Sequence, residues 1–76
     1  MNKIVERGVV KWYDELKGFG FITHSKGHEV FVHRSGLYSS FLGLFPGDEV
    51  EFSLKKGRNG LQAVDVRTVK EYKALG

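Results

Sequence analysis

A chain of 76 residues is long enough for one small domain, and 41% hydrophobic with 28% charged residues excludes a disordered composition. Twelve Lys and Arg against nine Asp and Glu leave a net charge of +3, a mild basic bias that favours a polyanionic partner without proving one. The absence of cysteine excludes disulfides, thiolate metal sites and thiol nucleophiles, and suits a reducing cytoplasm.

Residues 1–7 lack the apolar core of a signal peptide, so a cytoplasmic location is expected. A first strand is expected at 5–13, rich in valine and aromatics, followed by a turn at Asp14-Glu15-Leu16. The second strand, 17–24, opens on Lys17-Gly18-Phe19-Gly20-Phe21-Ile22. In extended backbone Phe19 and Phe21 share one face while Gly20 and Ile22 take the other. The loop Ser25-Lys26-Gly27-His28 leads to a third strand at 29–33, where Phe31 and His33 alternate with Val30 and Val32. Paired as a hairpin, the two strands bring four flat rings onto one surface, the kind of platform on which unpaired bases stack.

Residues 34–47 form the longest connection, an ordered loop with room for a single helical turn at most. Its uncharged run, 35–47, contains serines, glycines and a proline and is not a membrane span. A fourth strand at 48–54 points Val50, Phe52 and Leu54 inward and Glu49, Glu51 and Ser53 outward. Lys55, Lys56 and Arg58 make a basic turn with Gly57 and Gly60 at its tip, and a fifth strand at 61–69 offers Ala63, Val64, Val66 and Val69. Residues 1–70 make the domain, and 71–76 a short charged tail expected to fray. Short strands without a convincing helix suit a small closed barrel, because an open sheet of this size leaves unpaired edges.

Each chemical signal has a plainer alternative. Phe19, Phe21 and Phe31 could be core, but alternation makes Ile22, Val30 and Val32 the natural core face and leaves the phenylalanines on the opposite one without a burial partner; exposed apolar faces mark binding sites. Trp12 stands two residues from Val10, so partial burial competes with exposure. His33 is read as a ring of the platform rather than a metal ligand or general base. His24 and His28 lack a carboxylate or thiolate between them and make a poor metal site. Gly18 and Gly20 are no phosphate loop, since no helix or GK[ST] follows. The scattered acids supply no acid/base pair, so neither an enzyme nor a cofactor is expected. The basic cluster is either solvated surface or a phosphate guide.

The order Gly8-x-Val10-Lys11-Trp12-Tyr13, KGFGFI, Val30-Phe31-Val32-His33, Leu44-x-x-Gly47-x-x-Val50-x-Phe52 and Gly57-x-x-Gly60-x-Gln62-Ala63-x-x-Val66 resembles the cold-shock domain of bacterial cold-shock proteins. The likeness runs over residues 5–68. It implies an all-β, five-stranded antiparallel oligonucleotide-binding (OB-fold) barrel that holds single-stranded RNA or DNA by stacking bases on exposed aromatics; an ATP-independent RNA chaperone is expected from that stacking, since bases held unpaired open weak hairpins. The likeness further implies Lys11, Trp12, Lys17, Phe19, Phe21, Phe31 and His33 as contacts, with Phe41 as a further ring; Arg58, from the basic cluster, is expected to join them as a phosphate contact. The chain departs from the family at Arg34, where another aromatic is usual, and at Tyr13-Asp14 and Asp65, which replace Phe-Asn and Asn; the loop at 37–44 is slightly shorter. A guanidinium can stack on a base and adds charge, so the site is expected to persist with altered preference.

Two rival readings remain to be set against this one. An RNA-recognition motif of the ferredoxin-like kind has the reverse motif order and needs helices. A barrel binding proline-rich or other peptides on its aromatic face fits the basic, lysine-interleaved surface less well. A monomer is expected, with a strand-exchanged dimer as the alternative.

Overall fold

The computed structural model describes residues 5–37, 44–58 and 60–69. Its strands are β1 (Glu6–Asp14), β2 (Phe19–His24), β3 (Glu29–His33), β4 (Glu49–Gly57) and β5 (Gly60–Thr68), with one 3₁₀ turn at Arg34–Gly36 after β3. They close into a barrel in the order β1-β2-β3-β5-β4, β4 returning to β1. Four of its seams are antiparallel. The β3–β5 seam is parallel and joins Phe31 to Gln62 and Val32 to Ala63, with a further bridge from Leu37 to Val66. Antiparallel pairing throughout, expected from the sequence, therefore gives way at one seam, because the chain reaches β5 only after crossing the barrel through β4.

The inward-facing residues are those that alternation selects. Val10, Ile22, Val30, Val32, Val50, Phe52, Ala63 and Val66 are buried together, Leu44 joins them from the end of the long connection, and Leu54 packs half-buried against them. Strand ends shift from the sequence reading. Lys17 and Gly18 belong to the β1–β2 turn, where Asp14 Oδ1 accepts hydrogen bonds from the amides of Leu16 (2.9 Å) and Lys17 (3.0 Å). The Gly18 amide closes that turn on the Asp14 carbonyl at 2.7 Å. Asp14 thereby does the work of an Asx turn, for which aspartate serves as well as asparagine. β4 runs on through Lys55 and Lys56 to Gly57, which pairs with Gly60. Charged side chains on a protruding hairpin face water and leave the backbone ladder intact, so the basic turn narrows to its tip.

Two irregularities reset which residues face the core. In β1, Val10 pairs with Ile22 and Trp12 with Phe21, so Lys11 is an extra residue opposite a single step of β2. In β5, Ser53 pairs with Val64 and Glu51 with Arg67, and Asp65 adopts φ 54° between them. Ala63 and Val66 consequently both point inward although they are three positions apart. Aspartate tolerates the left-handed region better than branched residues do, which accounts for a polar residue there.

Gly20 lies beneath the Lys11 irregularity. A β-carbon built there would approach the Trp12 carbonyl oxygen to 2.2 Å and the Tyr13 α-carbon to 2.6 Å. Both obstacles are backbone, so the close β1–β2 approach requires glycine. Gly20→Ala is expected to destabilise the barrel by about 1–3 kcal/mol, read as a lower urea midpoint. A midpoint unchanged from wild type would mean that β1 can withdraw without cost.

His24 is the one polar residue in the buried set among those described, at 4% exposure. Its Nδ1 accepts a hydrogen bond from the Lys26 amide at 2.9 Å, which leaves Nε2–H to donate to Glu6 Oε1 at 2.6 Å. Its ring stacks on His28 at 4.4 Å and meets Phe52 edge-on at 6.0 Å. The two imidazoles lie parallel instead of converging, which is the arrangement of a satisfied core histidine rather than of a ligand pair. Among the described residues no group of three or more His, Cys, Asp or Glu is placed to hold a metal.

Candidate nucleic-acid interface

The Lys11 irregularity decides the fate of Trp12. Regular alternation would put Trp12 on the same side as buried Val10; the extra residue turns it outward, 38% exposed, opposite Phe21. β2 contributes Phe19 and Phe21 and β3 contributes Phe31 and His33, with Phe19 facing His33 and Phe21 facing Phe31. The phenylalanines are half-buried and His33 is exposed. Ring centroids lie 5.5 Å apart for Trp12–Phe21, 5.8 Å for Trp12–Phe19, 5.8 Å for Phe21–Phe31 and 5.9 Å for Phe19–Phe31. The rings thus form one continuous cluster on the outer face of β1, β2 and β3.

The surface is not flat. Interplanar angles run from 31° to 72°, so Trp12, Phe19, Phe21 and Phe31 share one surface but support one another edge-to-face and tilted. Edge-to-face contact between quadrupoles holds each ring's tilt and leaves part of its face to solvent. Below them, Val30, Val32 and Ile22 occupy the core side of the same strands, as alternation requires.

Cations border the rings. Lys11 is exposed and pairs its ammonium with Glu29, an exposed contact of small energetic weight that a phosphate can replace. Lys17 is exposed on the β1–β2 turn. His33 Nδ1 accepts a hydrogen bond from the Ser35 amide at 3.1 Å and lies 3.0 Å from its hydroxyl oxygen, which fixes the imidazole at the end of β3. Arg34 turns its guanidinium onto Gly18 and hydrogen-bonds the Glu15 carbonyl, so it stands at the rim beyond the Phe19–His33 pair. Arg58 sits at the tip of the β4–β5 hairpin, beyond the strand pairs that carry the rings. Phe41 lies outside the described residues.

Register reveals two further members. Trp12, Phe21, Phe31, Gln62 and Lys55 stand opposite one another in succession across β1, β2, β3, β5 and β4. Gln62 brings an amide and Lys55 an ammonium into line with the rings. In the sequence Gln62 stands only within the family motif and Lys55 only within the basic cluster, because the parallel β3–β5 seam that aligns them with the rings leaves no local pattern.

A closed five-stranded barrel with a ring cluster and bordering cations on one outer face defines the oligonucleotide-binding class of small β-barrels. Residues 6–69 match the family described as the 'Cold-shock' DNA-binding domain, and the chain belongs to that family. It is 47% identical over 64 residues to a cold shock-like protein of Thermotoga maritima, covering 83% of this chain and 97% of that one. It is 44% identical over 64 residues to cold shock protein CspC of Bacillus subtilis, covering 83% and 97% respectively. Among solved structures, Drosophila Unr CSD456 superposes with a TM-score of 0.74 at 25% identity over 90% of this chain, which spans 28% of that longer one.

Proposed function

We propose that the protein binds single-stranded RNA and DNA with low sequence specificity by stacking bases on Trp12, Phe19, Phe21, Phe31 and His33, while Lys11, Lys17, Lys55 and Arg58 attract the phosphates. The observation that carries this reading is the unbroken Trp12–Phe21–Phe31 ring row continued by Gln62 and Lys55. A stacked base contributes about 1–3 kcal/mol by truncation, so three or four bases support micromolar or tighter binding after ordering costs are met. Stacking on π-faces is common to all bases, which explains low specificity and makes RNA and DNA both ligands.

Holding bases unpaired shifts a weak hairpin toward its open form without consuming ATP. The protein is accordingly read as an RNA chaperone of the cytoplasm that acts on transcription or translation as a monomer, with no chemical step and no cofactor. No helix among the described residues is long and apolar enough to cross a membrane.

Because Trp12 belongs to the row and is the chain's only tryptophan, its fluorescence reports binding directly. Titration with oligothymidine in low salt is expected to quench it, while a duplex of matched length competes poorly. No quenching at about tens of micromolar, where three or four stacked bases should already be held, sinks the reading. Quenching by a proline-rich peptide instead promotes a peptide-binding barrel.

A further inference from the structure

Arg34 does not extend into solvent as a surface arginine ordinarily does. A β-carbon placed on Gly18 would lie 3.2 Å from Arg34 Cζ, 3.3 Å from Nε and 3.3 Å from Nη2. A point nearly equidistant from three atoms of a planar group lies over its face. The guanidinium is therefore laid flat across Gly18. Its Nη2 donates to the Glu15 carbonyl, and the Arg34 backbone amide donates to the Gly18 carbonyl at 2.7 Å, which holds the main chain beside Gly18. Gly18 is buried beneath it while Arg34 itself is exposed. Gly18 has φ 78°, a conformation that glycine adopts without strain, and its missing side chain is the space the guanidinium fills.

The position of this plate matters. Gly18 and Arg34 immediately flank the Phe19–His33 pair, the last pair of rings on β2 and β3. Arg34 opens the 3₁₀ turn that follows β3, with His33 as its N-cap, so a nucleotide running off the end of β3 past His33 comes to this turn next. A free arginine must be ordered before it can stack. This one is already held, so it loses little freedom on binding.

From this geometry we infer that Arg34 is a preformed cationic stacking plate at the end of the aromatic row, and that it selects a purine at the terminal base position. The inference rests on the single-strand stacking reading above. A guanidinium face is attracted to the negative face of a π-system, and the larger purine offers more of it than a pyrimidine does. Among the described residues the plate's other N–H groups make no hydrogen bond, and an adjoining phosphate can accept from them, which ties base and backbone to one side chain. Glu15, exposed on the same turn, offers its main-chain carbonyl to the plate.

The test uses an oligothymidine heptamer in which one guanine or adenine is moved through every position. With the wild-type protein a single position near one end is expected to bind roughly three- to tenfold more tightly than unsubstituted oligothymidine. Arg34→Ala should abolish that gain, and Arg34→Lys, which keeps the charge without the plane, should abolish it as well. Gly18→Ala, whose added β-carbon crowds the guanidinium, should reduce it although residue 34 is still arginine, and thermal melting of each variant confirms that the barrel is folded. A purine gain that survives in Arg34→Lys, or a wild-type scan with no favoured position, overturns the inference. Loss of affinity in Arg34→Ala by the same factor at every position also overturns it, since that is a charge effect or a loosened turn. Failure of the wild type to bind plain oligothymidine is a different result: it removes the stacking reading itself, and this inference with it.

Discussion

Phe31→Ala is expected to weaken oligothymidine binding by about 10- to 100-fold, the loss of one stacked base and of the support it gives to its neighbours. Phe31 is one of four rings that each touch two others, and it stands between Phe21 and Gln62 in the cross-strand row. It touches Phe19 at 5.9 Å and Phe21 at 5.8 Å, faces Phe21 across the β2–β3 pair and Gln62 across the β3–β5 seam. Truncation therefore opens a gap in the middle of the row instead of shortening one end. Stability should change little, because the side chain is half-buried on the outer face and the core beneath is made by Val30 and Val32. Fluorescence titration of the mutant, with circular dichroism to count folded molecules, checks both halves of the expectation. An unfolded mutant whose remaining folded fraction binds like wild type would show Phe31 to be core.

Phe52→Ala should have the opposite signature, a loss of about 3–5 kcal/mol in folding stability with affinity per folded molecule unchanged. Phe52 is 2% exposed, belongs to the buried cluster and takes the edge of the His24 ring at 6.0 Å. Its replacement leaves a cavity lined by strands that cannot close inward, because barrel diameter is set by strand number and stagger. At 0.05–0.15 kcal/mol per residue a chain of 76 residues holds only about 4–11 kcal/mol in total, so this substitution takes a large share of it. Urea unfolding at constant slope measures the difference. A loss below about 1 kcal/mol would mean the site refills, which the closed barrel forbids.

Much of this arrangement could be read before the structure, and the rest could not, for identifiable reasons. Strand alternation separates Phe19 and Phe21 from Ile22, and Phe31 and His33 from Val30 and Val32, because a period of two is a local property. Trp12 was ambiguous because the extra residue at Lys11 cannot be distinguished from ordinary strand; only the pairing with Phe21 shows the change of face. Gln62 and Lys55 join the rings through a parallel seam between segments some thirty residues apart, a relation that no window along the chain contains. Arg34 was recognised as unusual, but the direction of its side chain depends on the left-handed backbone of Gly18 and the carbonyl of Glu15. The ring tilts follow from three-dimensional packing and have no sequence signature.

The parallel seam carries a consequence for motion. Two residue pairs hold β3 to β5, with one further bridge from Leu37 beyond the end of β3, whereas β4 and β5 share seven pairs, so the cylinder has one short fastening. Local opening begins where the fewest backbone bonds must break, which here is the side of the barrel that the ring row crosses between Phe31 and Gln62. A nucleic-acid strand lying along that row spans both edges of the fastening. By linkage, whatever binds only the shut form lowers the population of the opened one, so the ligand acts on the barrel as a clasp across its own weakest join.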